Sequence, residues 1–323
     1  MKFSKRLFST LIGAALLGAS TLAAAASYPE KPVTIVIPFS PGGATDTLGR
    51  ILAEKLHDRL GQPFIVENRP GAGTIIASNH VAGSKPDGYT LLLAASSLGI
   101  APSVYDTVKY DPIEDFEPIT QVASVVHVLG VNPDVPVENI QELIEYLKAN
   151  PGKLSYASVG VGTSTQLEAE LFNQMAGVDM RGIPYKGSAP ALTDMVAGRI
   201  DVMFDAWAST GPFAKDGKIK VLAVTTKDPS PSVPGVPPIA TAVPGFAAMP
   251  WLGLVAPKGT PDEAVQTIYT TVNEILKDDD IKARFTSLGL DVIGNNPEEF
   301  QAFIANDINT WKQVVDKANI RAE

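Results

Sequence analysis

Hydrophobic positions in this chain follow two periods that alternate. Val33-Thr34-Ile35-Val36-Ile37 is a continuous apolar, β-branched run of strand length. Leu48, Ile51, Leu52, Leu56 and Leu60 then recur at the spacing of one helix face. The alternation continues with strands at Phe64–Glu67 and Tyr89–Ala94 and a helix near Thr74–Val81. Strands separated by helical stretches predict an α/β fold, with a parallel sheet covered by helices on both faces. Gln121–Val131 is long and apolar, and is expected to leave this first lobe as one strand. A second lobe follows, with helix Ile140–Asn150, strand Leu154–Ser158, helix Gln166–Met175, short strand Arg181–Pro184 and a helix ending at Ala197. Strands Ile200–Phe204 and Lys220–Thr225 complete it, and the Pro-rich run Pro229–Pro238 reads as a connector. The tail carries strand Leu252–Ala256, helices Pro261–Leu276 and Ile281–Leu288, strand Asp291–Ile293 and helix Pro297–Ala318. It does not form a third domain and is expected to return to the first lobe. Residues 27–120 plus 227–323 would then form lobe I and residues 121–226 lobe II, with two hinge crossings near Thr120 and Thr226.

Two strand-turn-helix joints carry the candidate chemistry. In Pro38-Phe39-Ser40-Pro41-Gly42-Gly43-Ala44-Thr45-Asp46, the glycines let a ligand approach the main chain. Thr45 or Asp46 can cap the helix, whose first N–H groups point back into the turn. Such a turn suits an anion, and it lacks the lysine of a nucleotide P-loop. Val159-Gly160-Val161-Gly162-Thr163-Ser164-Thr165 repeats the arrangement in the other lobe. Backbone N–H groups and hydroxyls together can bind a carboxylate without a basic side chain. The plain alternative for this second turn is a flexible loop with a helix cap; its mirrored position favours the ligand. Ser96 and Ser97 follow the third strand, where open α/β sheets bind ligands. The Gly71–Gly73 turn is less specific. Asp46 leaves two roles open, pairing with Arg50 one turn on or receiving a ligand ammonium.

Composition narrows the classes. Lys2, Lys5 and Arg6, the apolar stretch Leu7–Leu22 and Ala23–Ala26 have the form of an export signal, residues 1–26, cleaved near Ala26. Cleavage there removes three of 26 basic residues and none of 35 acidic ones, leaving 23 against 35, a net charge of -12. That balance speaks against nucleic acid or an anionic membrane surface as partner. There is no cysteine, so disulfides and thiolate metal sites are absent. Neither Gly-x-Ser-x-Gly nor a paired-histidine zinc motif occurs. His57, His80 and His127 all read as structural or surface residues, and no base stands visibly beside Ser40, Ser96 or Ser164. A non-enzymatic, cofactor-free protein without a metal is expected.

The residues also resemble a known family, the Bug (TctC-like) periplasmic solute receptors of tripartite tricarboxylate transporters. The resemblance rests on Tyr28–Val33, Pro38–Asp46, Val66–Gly73, Pro86–Leu91, Pro184–Ala191 and Asp201–Asp205, dispersed in one order over the mature chain. After Gly73 it departs, because Thr74-Ile75-Ile76-Ala77 stands where the family usually has Gly-Asn-Ile-Gly. The resemblance implies a two-lobed periplasmic-binding-protein fold of type II, closing on a small carboxylate and delivering it to a membrane permease. Di- or tricarboxylates, aromatic acids and acidic amino acids are the candidate ligands. It implies ligand contacts from Phe39, Pro41, Gly42, Gly43, Ala44, Thr45 and Asp46, and from Gly162, Thr163, Ser164 and Thr165. Tyr185, Gly187, Ala189 and Asp205 would line the second lobe's side, Ser96 and Ser97 the first's. A periplasmic monomer is expected. The rival readings are a periplasmic sensor component and an exported ester hydrolase.

Overall fold

The alternation read from the sequence builds two mixed sheets in the computed structural model, which describes residues 28–321. The expected leader lies outside the described residues. The chain begins with β1 (Val33–Ile37), α1 (Ala44–Leu60), β2 (Phe64–Asn68), α2 (Ile75–Ala82), β3 (Thr90–Ala95), α3 (Ser97–Val104) and β4 (Phe116–Val125). Next come β5 (His127–Val131), α4 (Ile140–Ala149), β6 (Ser155–Ser158), α5 (Ser164–Ala176), β7 (Arg181–Pro184), α6 (Ser188–Val196), β8 (Val202–Ala206), α7 (Trp207–Lys215) and β9 (Lys220–Val224). The tail supplies β10 (Trp251–Pro257), α8 (Asp262–Ile275), α9 (Asp279–Ser287), β11 (Leu290–Val292) and α10 (Pro297–Ala318). One sheet has the order β11-β4-β10-β3-β1-β2 and the other β7-β6-β8-β5-β9.

Both sheets share a plan. Strands β2, β1 and β3 are parallel, as are β7, β6 and β8, because helices on the faces carry each crossover. An antiparallel strand then follows in each, β10 beside β3 and β5 beside β8. These two strands are the ones that have just arrived from the other lobe. A chain entering across the hinge starts at the cleft end of the sheet and runs away from it, opposite to the strands that run toward it. The sheets are therefore mixed, where a parallel sheet was expected.

The crossings differ from those predicted. Gln121–Val131 is not one strand, since β4 stays in the first sheet to Val125 and β5 opens the second at His127. Val126 is the joint, its N–H donating to the Gly289 carbonyl (2.7 Å) and its carbonyl accepting from Trp207 (2.9 Å). The return near Thr226 is a longer path, in which Ile239, Val243 and Phe246 pack into the second lobe's core before Trp251 opens β10. The tail does return to the first sheet, but α10 spans both lobes. Its Phe300 and Ile304 pack with Leu92 and Trp251, whereas Trp311, Val314 and Val315 pack with Leu167 and Phe172 of the second lobe. Tyr105 adds a cross-lobe hydrogen bond to the Val161 carbonyl at 2.8 Å. The Gly71–Gly73 turn serves this contact, since a Cβ on Gly73 would meet Val161 O at 2.8 Å. Helices α3 and α7 escape sequence reading because Gly99 and Pro102, and Gly211 and Pro212, break their patterns.

Trp311 is 4% exposed on the part of α10 that reaches across. Trp311→Ala should lower unfolding stability by about 3–5 kcal/mol, the usual cost of emptying an aromatic site. Urea unfolding followed by far-ultraviolet circular dichroism measures this, and an unchanged midpoint would dissociate α10 from the second lobe's core.

Candidate ligand-binding site

The first turn leaves β1 at Ile37 and enters α1 at Ala44. Gly42 holds φ +93°, a conformation that only glycine adopts without strain. Its N–H donates to Asp46 Oδ2 at 3.0 Å. Asp46 also accepts from Arg50 Nε (3.0 Å) and Nη2 (3.0 Å) and from Asn68 Nδ2 (2.9 Å). Asn68 Nδ2 ties the Phe39 carbonyl to the same knot at 3.0 Å. Asp46 is thus consumed in fastening the turn to β2, and its two open roles resolve in favour of Arg50. Burial by itself would raise the Asp46 pKa, but the hydrogen bonds from Arg50, Gly42 and Asn68, with the Arg50 charge, hold it below the usual carboxylate value.

The second turn repeats the device between β6 and α5. Gly162, at φ +71°, donates its N–H to Gln166 Oε1 at 2.7 Å. In both turns a left-handed glycine is gripped by the side chain four residues later, a reach-back related to the capping box. Thr165 Oγ1 accepts from Val159 N–H (3.0 Å), and Thr163 Oγ1 donates to the Gly160 carbonyl (2.7 Å). Neither α1 nor α5 has a side-chain N-cap, so their first N–H groups keep free donor capacity.

These turns line one cavity of about 460 Å³ between the sheets. Residues at the starts of α1, α3, α5, α6 and α7 all border it, so five positive helix ends meet there. Phe39, Pro41, Val125, Val159, Leu192, Phe213 and Leu252 make apolar walls. Of the predicted residues, Phe39, Pro41, Gly42, Gly43, Ala44, Thr45, Ser96, Ser97, Thr163, Ser164, Thr165, Gly187, Ala189 and Asp205 line it. Asp46, Gly162 and Tyr185 do not. Asp46 and Gly162 shape their turns from behind, and Tyr185 spends its hydroxyl on Asp194 Oδ2 (2.7 Å) and its N–H on the Ser158 carbonyl (2.8 Å).

Sequence reading missed the residues that open the antiparallel strands. His127 begins β5 and lines the cavity, as do Pro250, Trp251 and Leu252 around the start of β10. His127 is therefore a cavity residue and not merely structural. No local pattern marks it. Its Nδ1 lies 2.9 Å from Oε2 of Glu168, which is fully buried on α5. Asp205 accepts from Ser188 Oγ at 2.9 Å, and burial pushes its pKa up to about 6 against the lowering effects of the His127 charge and Ser188. Ser96 Oγ accepts from the Trp251 N–H (3.0 Å) and Ser97 Oγ from Thr74 (3.1 Å). Among the described residues no hydrogen bond joins His127 to a serine, no group of three side chains is arranged to hold a metal ion, and no helix is long and apolar enough to cross a membrane.

Fold and cleft together define a two-lobed periplasmic-binding-protein architecture of type II. Residues 48–320 match the model of the TctC family, described as the tripartite tricarboxylate transporter family receptor, and the chain belongs to that family. It is 35% identical to the protein BugT of Bordetella pertussis over 93% of this chain and 93% of that one. The solved structure of Rhodopseudomonas palustris Rpa4515 with adipate superposes with a TM-score of 0.88 at 36% identity, over 91% of this chain and 100% of that one. MatC of the same organism, with bound malate, gives 0.84 at 32% identity, over 89% and 100%.

Asp46→Ala leaves the Gly42 amide, Asn68 and Arg50 without their acceptor. The expected loss is about 1–3 kcal/mol in urea unfolding at pH 7. The contribution is complete above the unfolded carboxylate value near 3.9 and is lost as pH falls through the lowered folded value. The gap between the variant and the parent should accordingly close in acid. A gap that stays constant to pH 2 would exclude the carboxylate as its source.

Proposed function

We propose that this protein is an extracytoplasmic receptor that binds a small carboxylate by lobe closure and hands it to a tripartite-transporter permease. One observation carries the reading, the pair of glycine turns whose free helix N–H groups border the same cavity from opposite lobes. Each such helix end contributes about half a positive charge and typically 0.3–1 kcal/mol per interaction, more where water is excluded. A handful of amide contacts with apolar walls suffices for micromolar affinity, about -8 kcal/mol. The cavity volume suits a small ligand, and the apolar lining between polar ends favours a dicarboxylate with a hydrocarbon middle. Relatives whose structures contain adipate and malate support that choice.

Hydrolysis is disfavoured by the same geometry. His127 is held at Nδ1 by Glu168, but among the described residues no serine is hydrogen-bonded to its other ring nitrogen, and Ser96 Oγ and Ser97 Oγ accept from Trp251 N–H and Thr74 instead. Lobe closure around a bound acid would use the hinge at Val126 and the Thr226–Pro250 path. The leader-like start of the sequence fits export to the periplasm, where such a receptor works.

Gly43 is the residue on which to test the clamp. It lines the cavity at φ -86° as the residue before α1, and a Cβ there would meet nothing within 4 Å. Gly43→Val is therefore tolerated by the fold and projects two methyl groups beside the first amides. Calorimetry with succinate, glutarate and adipate should show at least a tenfold affinity loss with an unchanged melting temperature. Equal affinity in the variant would refute the clamp.

A further inference from the structure

The cleft holds a cluster of buried ionisable groups that gripping a single carboxylate does not require. His127 stands opposite Ala206 and Val128 opposite Asp205 in the antiparallel pairing of β5 and β8. His127 and Asp205 therefore leave neighbouring positions on opposite faces of the sheet, and both reach the cavity at its cleft edge. Glu168 stands behind His127 on α5, and Ser188 meets Asp205 from α6. Two oxygens of the cluster, Asp205 Oδ2 and Glu168 Oε1, are buried with no well-formed hydrogen bond among the described residues, although the nearby Ala206 N–H helps to lower the Asp205 pKa. Leaving a buried carboxylate oxygen unpaired is costly, and Asp205 borders the cavity, so a bound molecule that closes over Oδ2 can supply the missing donor.

The charges around this pair are few. Among the residues lining the cavity, only His127, Lys186 and Asp205 carry ionisable side chains, and Lys186 is exposed, in the turn before α6. The elements facing Asp205 supply His127 from β5 and Glu168 from α5; the first-lobe and α7 residues of the lining are uncharged. Burial alone would lower the His127 pKa, but the charges of Glu168 and Asp205 raise it above the ordinary imidazole value. Glu168 holds Nδ1 and favours the charged form of His127, whose Nε2 has no hydrogen-bond partner among the described residues and is a donor whenever the ring is protonated. The sheet edge thus leaves two polar atoms without a partner among the described residues, His127 Nε2 and Asp205 Oδ2.

We propose that His127 and Asp205 bind the second carboxyl group of a dicarboxylate with one proton shared between that group and Asp205, so that ligand binding takes up one proton from solution. The proposal rests on the dicarboxylate reading above. One ligand oxygen accepts from His127 Nε2–H, and the other shares the incoming proton with Asp205 Oδ2. No covalent bond changes, and the proton comes from the solvent. Two carboxylates facing each other in a water-poor site cannot both stay ionised, and one proton between them converts repulsion into a hydrogen bond. A ligand ammonium would satisfy Asp205 but face the His127 cation. A hydroxyl would satisfy both residues without taking up a proton.

The sign follows from linkage. Free Asp205 titrates at about 6, and an adjacent ligand carboxylate raises that value in the complex. Between the two values binding consumes a proton, and affinity falls about tenfold per pH unit as pH rises. Below pH 6 Asp205 already carries its proton and the slope flattens. Calorimetry of succinate, glutarate and adipate, with their monomethyl esters as controls, is run at pH 7.5 in HEPES and in Tris, whose ionisation enthalpies differ. Close to one proton should be taken up with a bound diacid and none with its ester. Asp205→Asn, which keeps Oδ1 for Ser188, should bind the diacid without proton uptake and with a flat pH profile. His127→Gln should weaken the diacid at least tenfold more than the ester. Acid and ester binding with no uptake, or uptake that survives in Asp205→Asn, overturns the inference alone. Failure of every acid and ester to bind removes the dicarboxylate reading as well. Circular dichroism checks the variants, and if either is unfolded the two-buffer comparison on the parent protein decides.

Discussion

Two hydrogen bonds of the same form hold the cleft together, Gly42 N–H to Asp46 and Gly162 N–H to Gln166. Each spends the amide two residues before a helix on a side chain from that helix's first turn. The following amides, which have no intrahelical partner, are then left for a ligand. A glycine is required because the reach-back places that residue at positive φ. Without the tie the turn could collapse onto its own helix end and satisfy those donors internally. Asp46 and Gln166 differ in charge but act alike, which separates the shaping of a turn from the recognition of a ligand.

The chain's two exchanges between lobes decide what else the cleft contains. Parallel strands bring their carboxyl ends to it and supply the turns. The strand that enters each lobe from the other brings its first residues, which is how His127 and Trp251 reach the same cavity. Trp251 is then tied through Nε1 to Asp307 of α10 at 2.7 Å. The helix that spans both lobes is therefore bonded to a residue lining the ligand cavity. Packing of α10 on both cores makes lobe orientation a property of the whole chain and not of the hinge alone.

The proposed anion site in an acidic protein is not a contradiction. The net charge of -9 is spread over the solvated surface, where salt screens it. Inside the cavity, helix ends act at close range in a poorly screened medium, and the Glu168 charge favours protonation of His127. Local dipoles outweigh distant charge for the same reason that Asp205, the one carboxylate in the lining, is driven toward its neutral form.

How much of this was legible beforehand depends on the range of the interactions. Strand and helix periods and the two glycine turns are local, since each depends on residues within about one turn of chain, although the helices begin earlier than read, at Ala44 after Gly43 and not after Thr45 or Asp46, and at Ser164 and not Gln166. They could be read in order from Val33 to Thr165 without a fold. Helices α3 and α7 could not, because Pro102 and Pro212 contradict a local helix signal that only tertiary packing overrides. The break at Val126 was equally hidden, since Gln121–Val131 reads as one long, mainly apolar segment and pairs with two different sheets. The roles of Asp46 and His127 were hidden in the same way, since their partners Asn68 and Glu168 are distant in the chain. The sequence alone determined where the two glycine turns and their helices lie. Only the tertiary structure decided that Asp46 is bound to β2 and that His127 and Asp205 share the cavity, because the partners that assign those roles lie 22, 41 and 78 residues away along the chain.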